Sequence, residues 1–241
     1  MRTTKAGYVG KALLLLLCVV AVGCEPSASR IIVVLTDVSK TVPAADIAVY
    51  SKTFSTVLQE LAPGDRLVIA RISGHAVRDF TLDFDATLPN TDVYLNDVEA
   101  RDSVLVNAES AFTRITQNRD ANGSDILAAL AVAGEVFSRS DHAERWLVVL
   151  SDMRHESAVL NLDRQRIDSA FTSNFVHRER EADRIPDLSN VRVRVVGAGA
   201  SNHATDSYLA LRDLWIVYFG EAGALIKPSD YGRTAVVALR P

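Results

Sequence analysis

Ile31-Ile32-Val33-Val34-Leu35-Thr36-Asp37-Val38-Ser39-Lys40-Thr41 passes from five consecutive branched apolar residues straight into a polar loop. An apolar run without alternation predicts a strand buried on both faces, as in the middle of a parallel sheet. Side chains at i, i+2 and i+4 of an extended segment share a direction. Asp37, Ser39 and Thr41 therefore converge beyond the carboxyl end of that strand. Open α/β sheets place their ligands at that end.

Downstream, Val42-Pro43 opens a helix, since proline is tolerated in a first turn. Ile47, Tyr50, Phe54, Val57/Leu58 and Leu61 recur at steps of three and four, giving it one buried stripe. Pro63-Gly64-Asp65 reads as a turn, and residues 66–73 as a second apolar strand. Residues 77–84 alternate (Phe80, Leu82, Phe84 against Asp79, Thr81, Asp83), which predicts a half-exposed edge strand. Residues 88–94 form a loop, and Leu105, Ala108, Phe112 and Ile115 mark a helix ending near Asn118. Ser124 is the expected N-cap of a helix over 125–137. Trp146 to Leu150 is a further apolar strand, and it too ends on a carboxylate, in Ser151-Asp152. A polar helix over 163–176, a strand over 191–196, a helix over 206–219 and a last strand over 234–239 complete the pattern. Strands alternating with helices imply an α/β fold: three layers, with a doubly wound, mostly parallel sheet covered by helices on both faces.

The chain has 241 residues, 48% hydrophobic and 23% charged, which suits one well-packed domain. A formal charge of -4 without a basic face or Lys/Arg run argues against nucleic-acid binding. At the amino end, Arg2, Lys5 and Lys11 precede an apolar run from Ala12 to Val22. The run is too short to span a bilayer and of the right length for a signal-peptide core. Ala21-Val22-Gly23-Cys24 follows and resembles the lipobox of bacterial lipoproteins. That resemblance implies cleavage of a signal peptide over residues 1–23 and acylation of Cys24. Residues 24–29 become a short polar tether, and residues 30–241 the domain. The mature chain is then disulfide-free, more acidic, and lipid-anchored to a membrane on the extracytoplasmic side of the cell envelope. Glu25 does not match the Asp that retains some lipoproteins at an inner membrane, so the outer membrane, facing the periplasm, is expected where the organism has one.

Three polar loops gather at one end of this sheet: residues 37–41, residues 123–125 and residues 151–152. They offer carboxylate and hydroxyl oxygens and no thiol, a donor set for a hard divalent ion, Mg2+ before Mn2+ or Ca2+. The pattern resembles the von Willebrand factor A (vWA) domain, whose metal-ion-dependent adhesion site is written Asp-x-Ser-x-Ser, then Thr, then Asp. Asp37, Ser39 and Thr41 match the first element, Ser124 stands where Thr is usual, and Asp152 matches the third. Residues 63–70 also look like the family's entry to its second strand, and the likeness runs from about Arg30 through Val196. It implies that Ser39, Thr41 and Ser124 are hydroxyl ligands, with Asp37 and Asp152 as anionic ligands directly or through water. An open coordination position would then take an acidic residue of a partner protein. Both hydroxyl exchanges keep the oxygen. Met153-Arg154-His155 departs more, because a Gly commonly follows the last Asp, and it predicts a bulkier, more basic rim. Arg154 is a candidate to pair with the partner's carboxylate beside the metal, against the commoner solvated surface arginine, and His155 and His203 are expected at the surface.

Two other readings compete. One is a domain of this fold that no longer binds metal, its polar residues serving as caps and turns. The other is a haloacid-dehalogenase-like, Mg-dependent phosphatase with Asp37 as nucleophile. Such enzymes need an acid two residues further on to protonate the leaving group, and Ser39 cannot act as one near neutral pH. The sequence has no Gly-x-Ser-x-Gly elbow, no histidine metal spacing and no dinucleotide fingerprint at Gly197-Ala198-Gly199, which reads as a tight turn. A binding protein, not an enzyme, is the expectation.

Overall fold

The five apolar residues that open the chain's pattern occupy β1 (Arg30–Asp37), every residue of which is buried. The computed structural model describes residues 29–74, 82–90, 94–119, 121–199, 205–234 and 238–239. β1 pairs in parallel with β2 (Arg66–Ile72) on one side and β4 (Glu144–Leu150) on the other. β3 (Phe84–Thr87) adds antiparallel to β2, β5 (Val191–Val196) parallel to β4, and the short β6 (Tyr231–Gly232) parallel to β5. The order β3-β2-β1-β4-β5-β6 puts the chain's reversal point at β1 and β4. Polar loops leaving adjacent parallel strands in opposite directions open a crevice there.

Helices cover both faces. α1 (Ala44–Glu60) and α2 (Tyr94–Gln117) lie over Ile32 and Val34, and Phe54 stacks on Phe112 with centroids 4.2 Å apart. α3 (Ile126–Ser138), α4 (Ser169–Glu181) and α5 (Thr205–Glu221) lie over Ile31, Val33 and Leu35. Period-2 alternation along β1 thus sends successive apolar side chains into two separate cores, which is why the run shows no polar gap. α5 contributes Leu214, Trp215, Tyr218 and Phe219, in line with its broad apolar side.

Several boundaries differ from the sequence expectation. The edge strand lies at residues 84–87, beginning where the predicted strand ended, and residues 75–81 are outside the described residues. Pro43 is the N-cap of α1, one position before the helix. The helix expected from residue 163 begins at Ser169, because Asp168 caps it by accepting from the Phe171 N–H. A single 3-10 turn, Leu162–Arg164, precedes it. The last strand is Tyr231–Gly232, not residues 234–239, of which 235–237 are outside the described residues. The signal segment and Cys24 also lie outside them, and among the described residues no helix is long and apolar enough to cross a membrane.

The two ends of the domain are tied together at the pole opposite the polar loops. Asp65 accepts from the backbone N–H and the guanidinium of the buried Arg30. The same guanidinium donates to the carbonyls of Glu60 (2.7 Å) and Leu239 (2.6 Å), while the Leu239 N–H donates to Glu60 Oε2.

Candidate metal-binding rim

Asp37, the last residue of β1, is 1% exposed. Its carboxylate collects donors from three stretches of chain: the Ser39 N–H (3.0 Å) and Ser124 Oγ (2.9 Å) on Oδ1, and Ser151 Oγ (2.9 Å) on Oδ2. Ser39 Oγ lies 3.0 Å from Thr41 Oγ1. The structure therefore brings Asp37, Ser39, Thr41 and Ser124 into one network. Asp152, beside Ser151, is close enough that the Asp37 charge disfavours its ionisation.

Backbone bonds lace the loops. Lys40 N–H donates to Ala121 O at 3.1 Å, and Ser124 and Glu156 exchange N–H···O bonds of 2.9 and 3.0 Å. Gly123 makes the second pairing possible: it sits at φ +86°, and a Cβ there would meet Glu156 O at 2.7 Å. Just past β5, Gly197 has φ +104°, and its Cβ would fall 2.5 Å from the Tyr50 ring. The Gly197-Ala198-Gly199 turn thus keeps Tyr50 against the rim.

Burial pushes the Asp37 carboxyl above its ordinary range, and the three serines oppose that rise. Asp152 is pushed up to about 6, first by burial and then by Asp37 and Asp163, against the Arg154 N–H and guanidinium. Neither aspartate forms an ion pair among the described residues. Tyr50 is fully buried, and its hydroxyl has no hydrogen-bond partner among the described residues. Burial raises its pKa, with Asp37 and Asp152 adding to the shift. Two carboxyls without an ion pair and an orphaned phenol leave polar groups in this corner unmet. Among the described residues no three His, Cys, Asp or Glu side chains gather to hold a metal. An ion here would be held largely by hydroxyls, with few protein charges spent on it. The residues present fit a hard divalent cation.

Three expectations about the rim are corrected. Ser124 does not cap α3; Asp125 does, accepting from the Ala128 N–H, while the Ser124 hydroxyl turns to Asp37. His155 is buried (2% exposed): its Nδ1 accepts from the Ile126 N–H and its Nε2 lies 3.1 Å from Ser157 Oγ. Burial lowers its pKa, so the 3.9 Å approach to Asp125 is not an ion pair of a charged ring near neutral pH. The rim is not bulkier, because Met153 points into the core and is 0% exposed. Met153 adopts φ +63°, a left-handed conformation that favours glycine, and its carbonyl accepts from Trp215 Nε1. Only Arg154 adds basic character, and it pairs with Asp163 (2.6 Å). His203 lies outside the described residues.

The sequence reading places Ser151 in a polar loop without giving it a role, and Tyr50 only on a buried stripe. Ser151 carries a signal in retrospect: it is the first residue past β4, beside the strand that ends in Asp37. Nothing in the pattern distinguishes Tyr50 from any other helix residue on a buried stripe.

No protein-family model and no curated protein matches the chain. Solved structures do. A point mutant of the PilB minor pilin from Streptococcus sanguinis superposes with a TM-score of 0.53 at 12% identity, covering 86% of this chain and 60% of that one. A von Willebrand factor type A protein from Catenulispora acidiphila gives 0.42 at 12% identity over 84% of this chain and 40% of that one. The manganese-loaded TRAP protein of Plasmodium vivax gives 0.41 at 11% identity over 76% and 62%. The chain spans less than two thirds of each of these three proteins. The pilin likeness shows a shared α/β fold; the other two superpositions are too loose to carry more.

Proposed function

We propose that this chain is a lipid-anchored vWA-like domain that grips an acidic residue of a partner protein through a divalent cation held at the rim. Asp37, Ser39, Thr41, Ser124 and Asp152 hold the ion, Mg2+ before Mn2+ or Ca2+, and Ser151 orients Asp37. The observation that carries this reading is Asp37 itself, a buried carboxylate gripped from three stretches of chain with no cation beside it. A bound ion would supply the missing charge and keep electrophilicity for an incoming carboxylate.

The anchor suits such a role. Acylated Cys24 would precede Arg30 by six residues, at the pole tied to Leu239. β1 then carries the chain through about 25 Å to the rim. The site would face away from the membrane, toward partners in the envelope.

Affinity capture with the full chain tests the proposal. A specific partner should elute when the cation is chelated and fail to bind the Asp152→Ala variant. Capture indifferent to chelator contradicts the proposal. The phosphatase reading asks Asp37 to attack phosphorus, yet both its oxygens already accept hydrogen bonds. Mg2+-dependent turnover of a phosphate monoester, lost in Asp37→Asn, would reinstate that reading.

A further inference from the structure

A cavity of about 780 Å³ opens between α3, the 157–160 turn and the segment after α4, away from the rim's hydroxyls. Its walls are small or apolar: Ala128, Ala131 and Gly134 along α3, with Ile185 and Pro186 opposite. Pro186 fits against Gly134 so closely that a Cβ there would meet it at 2.8 Å. At the lip stands Val159, 94% exposed, a bulky apolar side chain given to solvent.

The charges lining these walls are mostly negative. Asp125, Glu135, Asp183, Asp187 and Glu179 all line the cavity; Glu135 also pairs with Arg139, outside the lining, and Asp125 caps α3. The lining guanidinium, Arg184, is spent on Glu179 through two 2.8 Å bonds. His155, also in the lining, is kept neutral by burial. Low-dielectric walls strengthen the field of such a rim. Asp125 and Glu135 lie ten residues apart on α3, about 15 Å along the helix, enough for roughly five residues of extended chain.

We infer that this groove is a second docking surface, which takes an extended segment of another protein carrying a basic residue flanked by bulky apolar ones. The apolar neighbours fill the Ala–Gly wall and cover Val159, and the cation answers the acidic lip. The inference does not rest on the metal-site reading, because no groove residue is assigned to the ion.

The probe is a labelled ten-residue peptide of alternating Leu and Lys, with a Leu/Glu peptide as control, added to the full chain in non-ionic detergent. Binding is read by fluorescence anisotropy and located by hydrogen–deuterium exchange. The Leu/Lys peptide should bind and protect residues 126–138, 157–160 and 183–187, with and without chelator. Ala131→Trp, which fills the groove from an exposed position, should weaken binding by about tenfold or more. Glu135→Lys, which reverses one lip charge, releases Arg139 from its pair and leaves the walls intact, should weaken it several-fold and flatten its salt dependence. Equal binding of the Leu/Glu peptide, protection elsewhere, indifference to Ala131→Trp in a variant that still melts like wild type, or no binding overturns the inference. Loss of binding on chelation alone would assign the peptide to the rim, also against it.

Discussion

Ser124 Oγ donates to Asp37 Oδ1 at 2.9 Å, joining the start of α3 to the end of β1 across 87 residues of sequence. With the Ser151 bond to the other oxygen, it makes Asp37 the knot of three loops. Removing a donor leaves a buried acceptor unsatisfied, which costs about 1–3 kcal/mol. Ser151→Ala, which strips Oδ2 of its donor, should lower the unfolding free energy of the metal-free domain in urea by that amount, and Ser124→Ala by less, since Oδ1 keeps the Ser39 N–H. Asp37→Asn removes an uncompensated charge and should leave the metal-free midpoint unchanged or higher at neutral pH.

Asp152 and His155 make opposite contributions to pH dependence. With its folded pKa near 6 against an ordinary 3.8, Asp152 holds a proton in the folded state that the unfolded chain has released. Stability from this group is therefore present at low pH and lost as pH rises from about 4 to about 6, by at most about 3 kcal/mol. In metal-free denaturation at pH 4.5 and 7.5, Asp152→Asn should remove that loss. Mg2+ should offset it too, since the ion selects the ionised carboxylate.

His155 runs the other way. Its folded pKa is lowered, so below the ordinary 6.5 the unfolded chain takes up a proton that the folded ring resists. Stability falls as pH falls through that value. Protonation would also turn Nδ1 into a donor facing the Ile126 N–H it now accepts from. His155→Gln should flatten this acid limb, read as melting temperature between pH 7.5 and 5.5 in the Asp152→Asn background.

Met153 trades strain for burial. A non-glycine residue in the left-handed region costs about 1–3 kcal/mol, whereas deleting a buried methionine side chain costs about 2–5 kcal/mol. Met153→Gly should therefore be net destabilising by about 1–2 kcal/mol in urea denaturation, even though its backbone relaxes.

What the sequence shows of the fold follows from physics local to each segment. The unbroken run 31–35 could be buried on both sides only in a central strand, and the 3.6-residue stripe of Tyr50, Phe54 and Val57 needed no tertiary information. Asp37, Ser39 and Thr41 do meet, as their hydrogen bonds show, but through a turn closed by the Val42 N–H on Ser39 O and not through strand periodicity, because β1 ends at Asp37. What could not be read depended on contacts distant in sequence. Ser124 and Asp125 are both good caps in isolation, and only the approach of Asp37 decides which one caps. His155 looks like a surface residue until α3 supplies the Ile126 N–H. The edge strand was misplaced because alternation marks a half-exposed strand without marking its pairing partner, and β2 pairs with residues 84–87.

The central claim is that oxygens from separate loops hold one divalent cation. Thermal melting of the chain with Mg2+ or Mn2+ against chelator tests it most directly, with Asp37→Ala and Asp152→Ala as controls. A ligand at 100 times its Kd stabilises the native state by about 2.7 kcal/mol, so the account predicts a saturable rise of several degrees in wild type, absent in both variants. A melting temperature that ignores Mg2+, Mn2+ and Ca2+ alike, or rises equally in the variants, would contradict it.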